Sequence, residues 1–313
     1  MADPSPSFVP AFKATIIRLY QEDPDGLRGS VRNRSINAKS DHWERLGGLE
    51  LTSVTSRHQA TPYTPSTHTR RRVNMTDYAG SERFDQLDQV KMMIDPRNEY
   101  TQNLTMAWRR RIARSILSAA TGNATNVDNA EALTNVALPA SQQIANGGTG
   151  FTFAKLRQLN RLWDNAGVPR DGGRHIAVSA YALEDLMADS QFTNADYNSM
   201  NAIANGGAAL VNSGMVMGIR FHMIGDSVPD DTAVVGASVG VPAEPILAKA
   251  GNIRTCVAWH TNAIGLSFAK DISIEVDRRP DLLNLWQALV QGSLGAVRIL
   301  DAGVVQVDID ESA

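Results

Sequence analysis

The stretch NEYTQNLTMAWRRRIARSILSAA, Asn98 to Ala120, constrains the chain more than any other. Tyr100, Leu104, Trp108, Ile112 and Ile116 recur every fourth residue, which sets them on one face of a helix. Arg109, Arg110, Arg111 and Arg114 fan around its other sides. Pro96 suits a helix start and Gly122 a stop. Such a helix would run roughly 35 Å, long enough to be a backbone on which other parts are laid. Three consecutive arginines cannot all meet water on one side. They are expected to bind acidic neighbours, against the plainer reading of a solvated face.

The chain of 313 residues can bury a full core, as two domains or one elaborate one. A net charge of -3 does not announce a nucleic-acid binder. Arginine outnumbers lysine by 24 to 6, and the forked guanidinium suits fixed ion pairs at interfaces. The lone Cys256 excludes an intrachain disulfide framework and a cysteine-based zinc site, and its apolar setting TCVAW predicts a buried, inert thiol. MADPSPSFVPAF lacks the plan of a signal peptide, and no run is long enough to span a bilayer. The expectation is a soluble chain made in a reducing cytoplasm, with no membrane partner.

Before the helix, residues 1 to about 48 make a poor globular segment. Phe8 to Tyr20 suits a short amphipathic helix. The charged stretch after it reads as an arm that orders against something else, with Trp43 and Leu46 where it meets apolar surface. Residues 49–75, rich in Thr, Ser and Val with Pro62 and Pro65 near the middle, predict two strands of a long hairpin. Its few apolar residues (Leu49, Leu51, Val54, Val73 and Met75) cannot support a hairpin alone, so it needs a partner surface. It carries Arg57, Arg70, Arg71 and Arg72 against Glu50, while Asp77, Glu82, Asp85, Asp88 and Asp95 follow. Basic hairpin and acidic stretch are expected to pair between copies of the chain.

After the helix, Thr121 to Gly150 reads as a linker rich in Asn, Ala and Gly. Thr152 then caps a helix with Leu156, Leu159, Trp163 and Ala166 inside and Gly167 as its stop. IAVS is a short buried strand, and Ser179 caps a helix burying Leu183, Leu186 and Met187. In GMVMGIRFHM the alternation of Met217, Ile219, Phe221 and Met223 predicts a half-buried strand.

The succession F-x-K-L-x-x-L-x-x-L-W-x-x-A-G-V-P, G-R-x-I-A-V-S, L-x-D-L-M-A-D-S-x-F and G-x-x-x-G-I-R-F, in the block from Phe151 to Pro229, resembles the major capsid proteins of tailed double-stranded-DNA phages. TCVAWHTNAIGLSFAKDISIEVD and LWQALVQGSLGAVRILDAGVVQVDID extend the likeness to nearly the whole chain. The resemblance implies an α+β architecture, the Hong Kong 97-type capsid fold. Segment by segment, it implies an N-terminal arm over 1–48 and an extended loop over 49–75. A peripheral domain over 76–121 carries the spine helix 98–120, an axial domain spans 122–260, and return strands of the peripheral domain fill 261–313. It implies self-assembly into pentamers and hexamers of an icosahedral head. Expected partners are a portal protein, a separate scaffolding protein, since no long scaffolding domain precedes the arm, and a cement or decoration protein. Packaged DNA is expected to be held non-specifically through its phosphates. The arginines of the loop and helix with Asp85 and Asp88 are the candidate inter-subunit contacts. Arg28, Arg32, Arg34 and Arg45 are candidates for the inner surface or for arm contacts. Some relatives crosslink through a lysine of the extended loop. Residues 49–75 contain none, the nearest being Lys39 and Lys91, so no such bond is expected.

Chemistry is sparse. His42, His58, His68, His175, His222 and His260 show no metal-ligand spacing and read as ordinary polar positions, although His58 and His68 could face each other across the hairpin. Gly147, Gly148 and Gly150 lack the G-K-[ST] ending of a phosphate loop, and Ser179 lies outside a G-x-S-x-G elbow. Asp226, Asp230 and Asp231 flank Pro229 as turn residues. No catalytic residue, cofactor or metal is expected. An encapsulin-type compartment shares the fold and stays open as an alternative. A monomeric enzyme with a long loop is a second.

Overall fold

The computed structural model describes residues 25–61, 63–84, 97–128, 131–189, 215–225, 246–282 and 284–312. The expected segment Phe8–Tyr20, Asp85, Asp88, Lys91, Asp95, Asp226, Asp230 and Asp231 lie outside these residues.

The long helix, α1, spans Arg97–Thr121. Leu104, Trp108, Ile112 and Ile116 are buried as their spacing predicts, joined by Ala113, Leu117 and Ala120. It lies on a four-stranded sheet ordered β1 (Arg32–Ser35), β13 (Ile264–Arg279), β14 (Leu285–Arg298), β4 (Thr76–Phe84). β13 and β14 form a long antiparallel hairpin, and β1 runs parallel to β13. Close approach explains two glycines here. A Cβ on Gly292 would overlap the Trp108 ring, and one on Gly265 would sit 2.5 Å from Cε2 of Trp43.

A seven-stranded sheet follows the order β7 (Gln143–Ile144), β15 (Val304–Asp310), β12 (Ile253–His260), β8 (Arg174–Val178), β10 (Ile219–Met223), β9 (Met215–Val216), with β11 (Lys249–Ala250) beside β12. Because side chains alternate along a strand, β8 and β12 serve two cores. Ile176, Val178, Cys256 and Ala258 join α2 (Phe153–Asn165) and α3 (Ala180–Ala188). Ala177, Val257 and Trp259 join α1 and β13. Ser179 caps α3 by accepting a hydrogen bond from the Ala182 amide, and Gly167 takes φ +69° just past α2.

A third sheet, β2 (Ser40–Leu46), β3 (His68–Asn74), β5 (Ala124–Val127), β6 (Leu133–Val136), departs from the sequence reading. The hairpin strands do not both lie within 49–75. The first starts at Ser40, and the ladder runs from Ser40 opposite Asn74 to Leu46 opposite His68. Beyond the Gly47–Thr67 backbone bond no strand is assigned through 48–61 and 63–67. His58 and His68 therefore do not face each other across strands. Heavy charge in SDHWERL masks its strand alternation, in which Asp41 and Trp43 are buried while Glu44 and Leu46 are exposed. The linker also carries two strands, β5 and β6, whose Thr and Asn residues are held by backbone pairing rather than apolar burial. Asp77 and Glu82 of the acidic stretch belong to β4 and pair with β14 of the same chain. In GMVMGIRFHM, Met217 and Gly218 both take positive φ, 53° and 79°, and form the two-residue turn between β9 and β10. Met217 and Met223 are exposed, so burial on this strand is confined to Ile219 and Phe221.

Candidate assembly site

The root of the loop 47–67 is tied down by one carboxylate. On β3 the three arginines alternate. Arg70 and Arg72 face outward, opposite Glu44 and His42, whereas Arg71 lies opposite Trp43 and is 1% exposed. The Arg71 guanidinium donates to Asp301 Oδ2 at 2.6 Å and to the Ala124 carbonyl at 3.4 Å. Asp301 Oδ1 accepts from Nε of Arg298, itself fully buried, at 2.7 Å. Arg298 also donates to the carbonyls of Ala120, Gly122 and Val136, satisfying the C-terminal end of α1. Arg45 reaches the same carboxylate at 3.9 Å and donates to Thr69, Asn126 and the Ile299 carbonyl. One acidic residue thus joins the loop root, the end of α1 and the turn after β14. Burial lowers the Arg71 pKa, and the Asp301 charge works against that loss.

A second tie lies alongside. Trp43 Nε1 donates to Ser267 Oγ at 3.1 Å, Ser267 donates to Asp41 Oδ2 at 2.6 Å, and Arg34 Nε donates to the same Asp41 oxygen at 3.0 Å. Arg34 also lies 4.4 Å over the Trp43 ring. Beyond the root Leu49, Leu51, Val54 and Tyr63 are exposed, Leu51 by 93% and Tyr63 by 88%. Arg57 lies exposed on the same loop.

Arg71, expected at a subunit contact, and Arg45, expected at the inner surface or in arm contacts, are both engaged within the chain. Arg71 and Arg45 serve the intrachain Asp301 cluster, because strand alternation turns Arg71 inward and Arg45 is drawn into the same carboxylate. Arg70 and Arg72 are half-buried on the outer face of β3. The helix arginines Arg109, Arg110, Arg111 and Arg114 are all half-buried rather than solvated. Arg111 meets an aromatic residue: it hydrogen-bonds the Tyr78 hydroxyl and lies 4.0 Å over that ring. With Arg114 and Lys249 it lines a cavity of about 490 Å³. Arg28 pairs with Asp271 at 2.6 Å and lies 4.5 Å over Phe268. Arg32 is exposed on β1, 5.8 Å from the Trp43 ring.

Cys256 is fully buried, and burial pushes its thiol up to about 12, which keeps it protonated. The glycine loop 147–150 closes around Lys155, whose Nζ donates to the carbonyls of Asn146, Thr149, Gly150 and Asp308 at 2.8–3.1 Å. That occupied cradle is a structural clamp. Among the described residues no group of three or more His, Cys, Asp or Glu side chains is placed to hold a metal, and no helix is long and apolar enough to cross a membrane.

No curated protein matches the chain. Solved structures do. The capsid of Ralstonia phage GP4 superposes with a TM-score of 0.69 at 9% identity, covering 99% of this chain and 97% of that one. The capsid of cyanophage P-SCSP1u gives 0.68 at 16% identity, covering 96% and 92%. The capsid of cyanophage Pam1 gives 0.64 at 14% identity, covering 100% of both. At such identities these likenesses speak for the fold, which is the Hong Kong 97-type capsid architecture. The model of the phage capsid protein family matches residues 5–311. With so little left outside that match, the chain belongs to the phage capsid protein family.

Proposed function

We propose that this major capsid protein closes its shell by seating the loop 47–67 of each copy on the next. As a capsid protein it is a structural component of the virion and self-assembles into an icosahedral head. The observation that carries the loop reading is the contrast between root and tip. A root locked by Asp301 presents Leu49, Leu51, Val54 and Tyr63 to solvent. Apolar residues at that exposure gain free energy only when something covers them, about 25 cal/mol per Å². Many copies of a modest contact make a closed particle stable. The match to phage capsids favours a coat over a cargo compartment.

Finer roles follow the same reading. Arg57, Arg70 and Arg72 supply charge where the loop meets a neighbour, with Asp85 and Asp88 as acidic counterparts. Arg32 is the best of the four N-terminal arginines for a DNA phosphate or a neighbouring subunit, because Arg28, Arg34 and Arg45 already hold partners in the chain. The absence of lysine from 49–75 points to a shell without a loop-lysine crosslink. We read the role as structural rather than catalytic. Assembly in the host cytoplasm, on a separate scaffold and around a portal, completes the picture.

The test is Leu51→Ser with Tyr63→Ser. The double variant should keep the thermal midpoint of the unassembled subunit, since neither side chain packs within it, and should fail to form shells by electron microscopy. Normal particles would overturn the loop reading.

A further inference from the structure

Two histidines absent from any sequence motif meet beneath the first described segment of the chain. His175 on β8 and His222 on β10 lie with Nδ1 and Nε2 3.0 Å apart, and both rings stack on Trp259 of β12, each with centroids 5.9 Å from it. The tautomers follow from the neighbours. The Thr261 hydroxyl donates to the Gly173 carbonyl, so it accepts from His175 Nε2 at 3.2 Å. His175 Nδ1 is then bare, and His222 Nε2 is the donor between the rings. This leaves His222 Nδ1 bare as well, and it faces the backbone of Gly26, where an added Cβ would lie 3.6 Å from it. The same indole holds the segment from below, with Trp259 Nε1 donating to the Ser30 carbonyl at 3.1 Å, and Leu27 and Val31 are buried in the core around it.

We propose that the His175–His222 pair is an acid-released latch on the segment 25–31. With both rings neutral, the segment closes over them. A proton taken up at His222 Nδ1 makes a charged donor aimed at the Gly26 backbone. The segment covers one side of the half-buried ring, so the charge is better solvated when the segment lifts.

The surroundings favour release. Burial and then the charge of Arg220, on the same strand, lower His222 to about 4. Burial, His222, Arg220 and His260 likewise lower His175 to about 4, against the opposing charge of Asp171. Asp171 itself is engaged by His260 Nε2 at 3.0 Å. On the segment, the Arg28 cation is turned away to Asp271.

The sign follows by linkage. Docked, His222 titrates at about 4; released, it returns towards 6.5, so release takes up a proton between those values. Hydrogen exchange of the full chain, as subunits and as shells, should be followed from about pH 7 to about pH 4 with intrinsic rates corrected. Protection of the amides of 26–31 is expected to fall by about tenfold per pH unit in the window, while β12 and β15 stay protected. His222→Gln keeps a neutral N–H for His175 and removes the proton taken up at His222, so its profile should be shallower than that of the natural chain. A flat profile in the natural chain, or an equal slope in His222→Gln, would overturn the latch. Should that variant not fold, the His222 ring resonance of the natural chain decides: titration near 6.5 in the docked state refutes the proposal.

Discussion

Asp301→Asn should be among the more damaging single changes in this chain, although it removes only a charge. Among the described residues, this carboxylate is the ion-pair partner of both Arg71 and Arg298, whose side chains are 2% and 0% exposed. An amide keeps the shape and one acceptor but leaves the cluster without negative charge. Arg298 retains three backbone carbonyls as acceptors. Arg71 retains only the longer bond to Ala124, and its Nε has no hydrogen-bond partner even in the natural chain. The loss therefore falls mostly on Arg71. Breaking a buried pair by removing one partner costs about 3–5 kcal/mol. At about 2 °C per kcal/mol, the value for large domains, the midpoint should drop by about 6–10 °C in calorimetry of the unassembled subunit. Adding Arg71→Met removes the stranded cation and fills its place with apolar atoms, so the double variant should recover more than half of that drop. A midpoint lowered by less than about 2 °C in Asp301→Asn, or no recovery in the double variant, would refute the view that this carboxylate holds the loop root.

Arg70→Glu with Arg72→Glu, both on the outer face of β3, should leave the midpoint within about 2 °C while weakening shell formation under electron microscopy. Arg71→Glu alone should prevent folding, since it sets a second carboxylate beside Asp301 in a buried site. Gly265→Ala places a methyl 2.5 Å from the Trp43 ring, and overpacking there should cost about 1–3 kcal/mol by urea unfolding. Glu311 is buried, which alone would raise its pKa, yet hydrogen bonds from Arg254, Lys249 and Ser179 and the Arg254 charge hold it below its ordinary 4.5. Its folded-state value is depressed, so its stabilisation is complete above pH 4.5 and is lost as the pH falls below it. Glu311→Gln should flatten that part of the stability profile in urea titrations at successive pH values.

What was legible in the sequence was whatever rests on local periodicity. α1 shows its buried face as four large residues at every fourth position, and α2 and α3 show theirs with Gly167 and Ser179 at their ends, although Ala166 and Met187, expected inside, are exposed and Thr152 makes no side-chain cap bond. Such signals arise within one turn of helix and do not depend on the rest of the fold. The third sheet was half legible, because β5 and β6 are stabilised by backbone pairing to β3 and their Thr and Asn side chains look like a linker.

The roles of the arginines separate the two cases. In RRRVNM the run of like charges conceals a period of two, in which Arg71 shares parity with the buried Val73 and Arg70 and Arg72 do not. Parity alone would have turned Arg71 inward, once β3 was known to have a buried face. No such rule finds its partner, 230 residues away, or brings His175 beside His222 across 47 residues. Those meetings are set by strand order: β8 pairs with both β10 and β12, and the Trp259–His175 register places one indole under two imidazoles. A capsid subunit of this kind therefore hides its controlling polar contacts from local reading. They sit where separate sheets and the long helix are joined.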